Sequence, residues 1–188
     1  MLNNFDLNHL LTFSIKDAEA RKQFLVGSLV YLLAFFIPIL PILVITGYLV
    51  RIVRQVLKDE KPHMEPWENW EELLLDGAKL FVIRIAYILP LFILFIPFMI
   101  GMFAFPFLID SGNETIEQMA FLLPLLFIAT FMLFIPISLA IGLLVPVAEI
   151  HSIAKNELPA GFHIRAWWAI FRVNWSGFLL AFAISYAV

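Results

Sequence analysis

Three stretches of the chain, Phe24 to Val50, Leu80 to Ile109 and Met119 to Val147, are apolar almost without interruption. Crossing about 30 Å of hydrocarbon takes about 20 helical residues at 1.5 Å each, so all three are long enough to span with tilt to spare. The third holds eighteen Leu, Ile, Val or Phe residues. At roughly −0.3 to −0.6 kcal/mol each, they favour insertion by several kcal/mol. With 62% of residues hydrophobic and only 14% charged, the chain lies well outside the composition of soluble domains. A segment inside a bilayer must satisfy its own backbone, which only helices and closed barrels do. Continuous runs select the helix. The fold class expected is an all-α integral membrane protein.

A fourth run begins at Trp175 and is still apolar at Val188. It is too short to cross alone, so the chain is expected to be incomplete at its C-terminus. The organisation expected is a single multi-pass membrane domain. Residues 1–23 form an interfacial helix, 24–50, 80–109, 119–147 and 175–188 are membrane segments, and 51–79 and 148–174 are cytoplasmic connections. Prolines punctuate every complete run: Pro38 and Pro41; Pro90, Pro97 and Pro106; Pro124, Pro136 and Pro146. Each removes a helical hydrogen bond, so kinked transmembrane helices are expected, bent for packing or hinged for transport.

Lysine and arginine are unevenly placed. The segment from Asp110 to Gln118 has none, Arg51 to Lys79 has five and Ala148 to Asn174 has three. By the positive-inside rule the two long connections are cytoplasmic. Lys16, Arg21 and Lys22 complicate the N-terminus. If the first run is one kinked span, they lie outside. If Phe36-Ile37-Pro38-Ile39-Leu40-Pro41 is the tip of a re-entrant hairpin, all the loop cations share one side. The continuous span is the expectation and the hairpin its alternative.

Three amphipathic segments read as interfacial helices. In the first, Leu7, Leu10, Leu11, Ile15 and Ala18 oppose Asn8, Thr12, Lys16 and Glu19. In the second, after Pro66, Trp67, Trp70, Leu74, Gly77 and Phe81 share a face, while Glu68, Glu71, Glu72 and Asp76 point away. In the third, Ile164, Trp168, Phe171 and Trp175 form a stripe flanked by Arg165 and Arg172. Tryptophan suits the headgroup level, and Arg165, Arg172 and Arg84 are placed to meet lipid headgroups. The order of run, basic stretch, proline, aromatic helix and run occurs twice, from Leu49 to Leu80 and from Val147 to Trp175. This spacing reads as a weak internal duplication.

Gly47-Tyr48-Leu49-Val50-Arg51, then Pro66-Trp67-Glu68-Asn69-Trp70-Glu71-Glu72-Leu73, then Asp76-Gly77-Ala78-Lys79-Leu80 resemble the pattern of a prokaryotic membrane-protein family catalogued as domain of unknown function 4013. Leu11-Thr12-Phe13 and Leu158-Pro159-Ala160-Gly161-Phe162 fall where that family has similar segments. The resemblance implies architecture and no established activity.

Signs of chemistry are few. With no cysteine there is no thiolate site or cysteine nucleophile. His9, His63, His151 and His163 all lie in polar segments and are expected to be solvated. Glu149 and His151 are two apart, whereas a metal pair on a helix wants three or four. Glu65, Glu68, Glu71 and Glu72 are expected on a solvated face. No cofactor, metal site or nucleic-acid partner is expected, and the chain is not expected to be an enzyme. The leading expectation is an accessory, scaffold or assembly subunit of a prokaryotic inner or plasma membrane complex. Its partners would be membrane lipids and other membrane subunits or further copies of itself. Tyr48, Arg51, Trp67, Trp70, Asp76, Trp167 and Trp168 are the candidate interface or anchoring residues. The alternative is a small permease or channel-like transporter.

Overall fold

A computed structural model of the chain describes residues 12–109 and 122–187, and every regular element among them is helical. The elements are α1 (Ala18–Leu33), α2 (Ile39–Leu57), α3 (Trp70–Ile109), α4 (Leu123–Lys155), a 3-10 turn (Leu158–Phe162) and α5 (Ile164–Ala187). Helices α2 to α5 each contain a stretch long and apolar enough to cross a membrane. The readings that concern residues 1–11 and the Asp110–Gln118 connection lie outside the described residues.

The first apolar run is not one helix. It folds into α1 and α2, which pack side by side as a hairpin. Val30 of α1 meets Val44 and Tyr48 of α2 in the same core cluster. Proline explains where the run breaks. The N–H groups of Ala34, Phe35, Phe36 and Ile37 all turn back onto carbonyls of Tyr31, Leu32 and Leu33. Pro38 then has no N–H to satisfy, and Pro41 removes another from the first turn of α2. A helix start leaves its first amides without partners, and these two prolines delete two of those amides. The tip is wholly apolar, with Phe35 93% and Phe36 84% exposed.

The N-terminal segment also differs from the continuous interfacial helix expected over 1–23. Residues 13–17 form turns, and α1 starts where the Asp17 carboxylate accepts the Ala20 N–H at 2.7 Å, a side-chain N-cap.

Two compact units emerge. One comprises Met1–Ile83 with Ala148–Ile164, the other Arg84–Val147 with Arg165–Val188. In the first, α2 and α3 cross with their backbones in contact. A Cβ on Gly47 would land on the Leu73 carbonyl, and one on Gly77 would land on the Leu43 carbonyl. Position 43 pairs with 77 and 47 with 73, so the crossing is antiparallel and reciprocal. Small residues allow such an approach in membranes, where packing rather than hydrophobicity joins helices. Leu73, 1% exposed, lies at its centre. Helices α2 and α4 end alike: Asp59 and Asn156 have φ of 60° and 54°. Glu60 N–H bonds Gln55 O, and Glu157 N–H bonds Ser152 O, the six-to-one closure of a helix ending in a left-handed residue.

In the second unit, α3 and α4 join through phenylalanines. Phe98 stacks on Phe95 at 4.6 Å and meets Phe127 and Phe131 at 4.7 and 5.3 Å. Pro90, Pro97 and Pro106 lie within α3, and Pro136 and Pro146 within α4, without interrupting either helix. The non-helical residue inside α5 is Asn174, at φ −117° and ψ 21°. Both α3 and α5 start inside what the sequence suggested were surface helices and continue directly into the apolar runs.

Candidate functional site

The end of α2 carries Tyr48, Arg51, Arg54 and Gln55 at spacings of three, three and one, so the first three share one helix face. This face meets the α2–α3 connection and the first turns of α3, and Tyr48, Arg51 and Gln55 each find a backbone partner there. Tyr48 donates its hydroxyl to Glu65 O at 2.7 Å. Arg51 donates to Pro66 O at 3.3 Å and Glu68 O at 2.8 Å. Gln55 donates to the Glu65 carboxylate at 2.5 Å and accepts the His63 N–H at 2.9 Å. An irregular connection lacks its own ladder, so these side chains do for it what a helix does for itself.

Trp67 is the keystone of that connection. It stacks on Tyr48 with ring centroids 4.1 Å apart and planes 11° from parallel. It lies 5.9 Å from Trp70 and against Gly27 of α1. Its Nε1 donates to Gln23 O at 2.9 Å. One side chain thus joins α1, α2 and the entry to α3.

Arg54 is the electrostatic hub. It pairs with Asp76 at 2.5 Å and with Glu72 at 3.7 Å, and donates to the Asn156 side chain at 2.9 Å. Arg51 approaches Glu72 at 3.8 Å and Lys79 approaches Asp76 at 3.1 Å. Burying a carboxylate as deeply as Asp76, 5% exposed, is costly unless it is paired, and these cations pair it. Asp76 therefore does not point away to solvent as the helical face suggested. A polar cleft of about 660 Å³ opens beside it, lined by Arg54, Lys58, Glu72, Asp76, Lys79 and Asn156 among others. Among the described residues there is no cluster of three metal-binding side chains and no buried side-chain polar atom without a partner.

The structure gathers five of the seven candidate anchoring residues, Tyr48, Arg51, Trp67, Trp70 and Asp76, into this knot. Trp167 and Trp168 belong to the other unit. Trp167 is 4% exposed and donates to the Tyr87 hydroxyl at 3.2 Å, so it holds α5 to α3 and does not face outward. Trp168, 41% exposed, stacks near Phe171 at 5.3 Å. Arg84, Arg165 and Arg172 are exposed. His151 is buried, unlike the solvated histidine expected, because it lies on the inner face of the last turns of α4 beside Ser152.

Sequence reasoning missed Arg54, Gln55, Gln23 and Asn156. Arg54 had a signal, since it lies three residues after Arg51 and so on the same face. Gln23 had none, because it meets the knot through its backbone carbonyl.

A family model matches residues 30–188, taking in α2, the whole Tyr48–Asp76 knot and everything after it. The chain belongs to the family of proteins of unknown function DUF4013. No curated protein and no solved structure matches it. In this DUF4013 chain the Gly-Tyr, Pro-Trp-x-x-Trp and Asp-Gly segments meet at one place. Gly47 and Gly77 make the helix crossing, Tyr48 and Trp67 stack above it, and Asp76 receives Arg54.

Proposed function

We propose that this membrane protein is a non-enzymatic accessory, scaffold or assembly subunit of a larger complex in a prokaryotic inner or plasma membrane. The observation that carries the reading is how little of its last two helices the chain itself covers. Only 6% of the apolar window of α4 and none of that of α5 is buried. Val173 is 81% exposed and Met132 71%. Lipid covers part of such a surface, but association between membrane helices comes from close packing, which this surface leaves available.

The polar knot supports the same reading. It has the chemistry of a clamp: backbone acceptors, paired charges and stacked rings, all satisfied within the fold. It sets the entry angle of α3 and leaves no nucleophile, acid and base converging on a reacting atom. The permease alternative draws on proline-broken helices, a re-entrant tip and the weak repeat. The prolines of α3 and α4 leave both helices continuous, whereas the turn between α1 and α2 keeps the second of these features. The clamp carries Arg51, Arg54, Lys58 and Lys79, which by the positive-inside rule puts it on the cytoplasmic side.

Extraction of the tagged protein in mild detergent or nanodiscs, followed by mass spectrometry of what stays bound, tests the proposal. Partner polypeptides in fixed ratio, or a defined homo-oligomer, are expected. A lone monomer carrying only lipid overturns it.

A further inference from the structure

Between α1 and α2 lies a groove of about 540 Å³, bounded at one end by Phe13 and Ser14 and running past Phe24 to Tyr31 and Leu32. From Phe24 to Leu32 it follows α1 for about 12 Å. Its walls are apolar for a specific reason: their polar atoms are turned elsewhere. The Tyr48 hydroxyl goes to Glu65 O and the Trp67 N–H to Gln23 O, so both present ring faces. Ser28, on the α1 wall, gives its hydroxyl to Phe24 O at 2.9 Å. Phe24, Tyr31 and Leu49 border the groove and are themselves largely exposed, so it opens sideways toward the surrounding hydrocarbon.

The Phe13–Ser14 end is cationic. Arg21 holds the 13–17 turn onto α1 by donating to Ile15 O at 3.1 Å, one residue along the chain from Ser14, and Lys16 follows in the same turn. The nearby carboxylates are occupied. Asp17 caps α1, and Glu19 pairs with Lys22 at 3.5 Å and accepts from Gln23. Neither Lys16 nor Arg21 forms an ion pair among the described residues. An apolar slot open to the bilayer, with two cations at the end nearest the headgroups, matches one ligand chemistry: an acyl chain attached to a phosphate. We propose that this groove is a binding site for an anionic phospholipid, with one acyl chain between α1 and α2 and the phosphate at Lys16 and Arg21.

The test places the full-length protein in nanodiscs containing trace phosphatidylglycerol or phosphatidylcholine with a diazirine in one acyl chain, and maps photolabelled residues by mass spectrometry. Labelling at Phe24, Tyr31 and Leu49 is expected to exceed labelling at Phe131 and Met132 on α4. Phosphatidylglycerol is expected to be preferred by about tenfold at the groove. Ser28→Trp, which fills the slot, should abolish groove labelling and spare α4. Leu49→Trp fills it from the opposite wall if the first variant does not elute as a monodisperse species. Lys16→Gln with Arg21→Gln should erase the preference between lipids and leave acyl labelling in place. Equal labelling of groove and α4 by both lipids overturns the proposal. So does groove labelling that appears only after residues 2–11 are deleted, since the occupant would then be the chain's own N-terminal segment.

Discussion

The indole N–H of Trp67 donates to the backbone carbonyl of Gln23 at 2.9 Å, across 44 positions of sequence. It is a direct tie between α1 and the α2–α3 connection, made while the ring stacks on Tyr48. The two roles separate by substitution. Trp67→Phe keeps most of the stacking and removes one hydrogen bond to α1, at a cost of about 1 kcal/mol. Trp67→Ala loses the stack and leaves a cavity, at about 3–5 kcal/mol. Thermal unfolding in detergent should rank the wild type above Trp67→Phe and both well above Trp67→Ala. Equal losses for the two variants would show that the N–H, not the ring, holds α1.

The glycines provide a comparison with an internal control. At Gly47 and Gly77 an added Cβ meets backbone of the facing helix, which cannot rotate away, whereas at Gly177 nothing lies within 4 Å. Gly47→Ala and Gly77→Ala should each destabilise by at least about 1–3 kcal/mol and lower the yield of monodisperse protein. Gly177→Ala should be neutral or stabilise by up to about 1 kcal/mol, because alanine is the better helix former. A loss at Gly177 as large as at Gly47 would mean that α5 is packed closely by something outside the chain.

How far these features could be read from sequence depends on whether the signal is local. The apolar runs of α3 and α4 are local and strong, and both helices lie where the runs do. The Tyr48, Arg51, Trp67 and Asp76 set is legible because its residues stand in the segments that carry the family resemblance. Their meeting at one point was not legible, since it depends on the antiparallel crossing at Gly47 and Gly77. Helical periodicity sorts charge outward and so puts Asp76 on the wrong face, while a half-buried arginine partner, Arg54, reverses that sorting. The break at Pro38 was weighed as an alternative. What decides for it is a count of amides at the turn, with Pro38 and Pro41 each contributing none. Proline inside α3 and α4 leaves the helix intact because the preceding and following turns still hold it.

Asp76 is flanked by Arg54 at 2.5 Å and Lys79 at 3.1 Å, yet the two cations are not equivalent. Arg54 is the less exposed and also binds Glu72 and Asn156. Arg54→Gln should therefore cost about 3 kcal/mol by leaving a buried carboxylate under-compensated, and Lys79→Gln no more than about 1 kcal/mol. Adding Asp76→Asn to Arg54→Gln should recover part of the loss, because the stranded charge is gone. A double-mutant cycle on unfolding free energies reads this coupling. Strict additivity would reduce the pair to a surface contact.

The hairpin makes a prediction about sidedness that a single span reverses. Because α1 runs antiparallel to α2, Lys16 and Lys58 belong to the same end of the hairpin, with Phe35 and Phe36 at the other. The chain contains no cysteine, so a single introduced thiol reports its own position without background. Lys16→Cys and Lys58→Cys should react with a membrane-impermeant maleimide from the same face of sealed inverted vesicles, and neither from the opposite face of intact cells. Phe36→Cys should be markedly slower from the Lys58 face, since reaching it means crossing the length of α2, about 28 Å. Labelling of Lys16→Cys from one side and Lys58→Cys from the other would restore the continuous span. It would also separate Lys16 and Arg21 from the cytoplasmic headgroups and require the Trp67–Gln23 bond to be absent in the membrane.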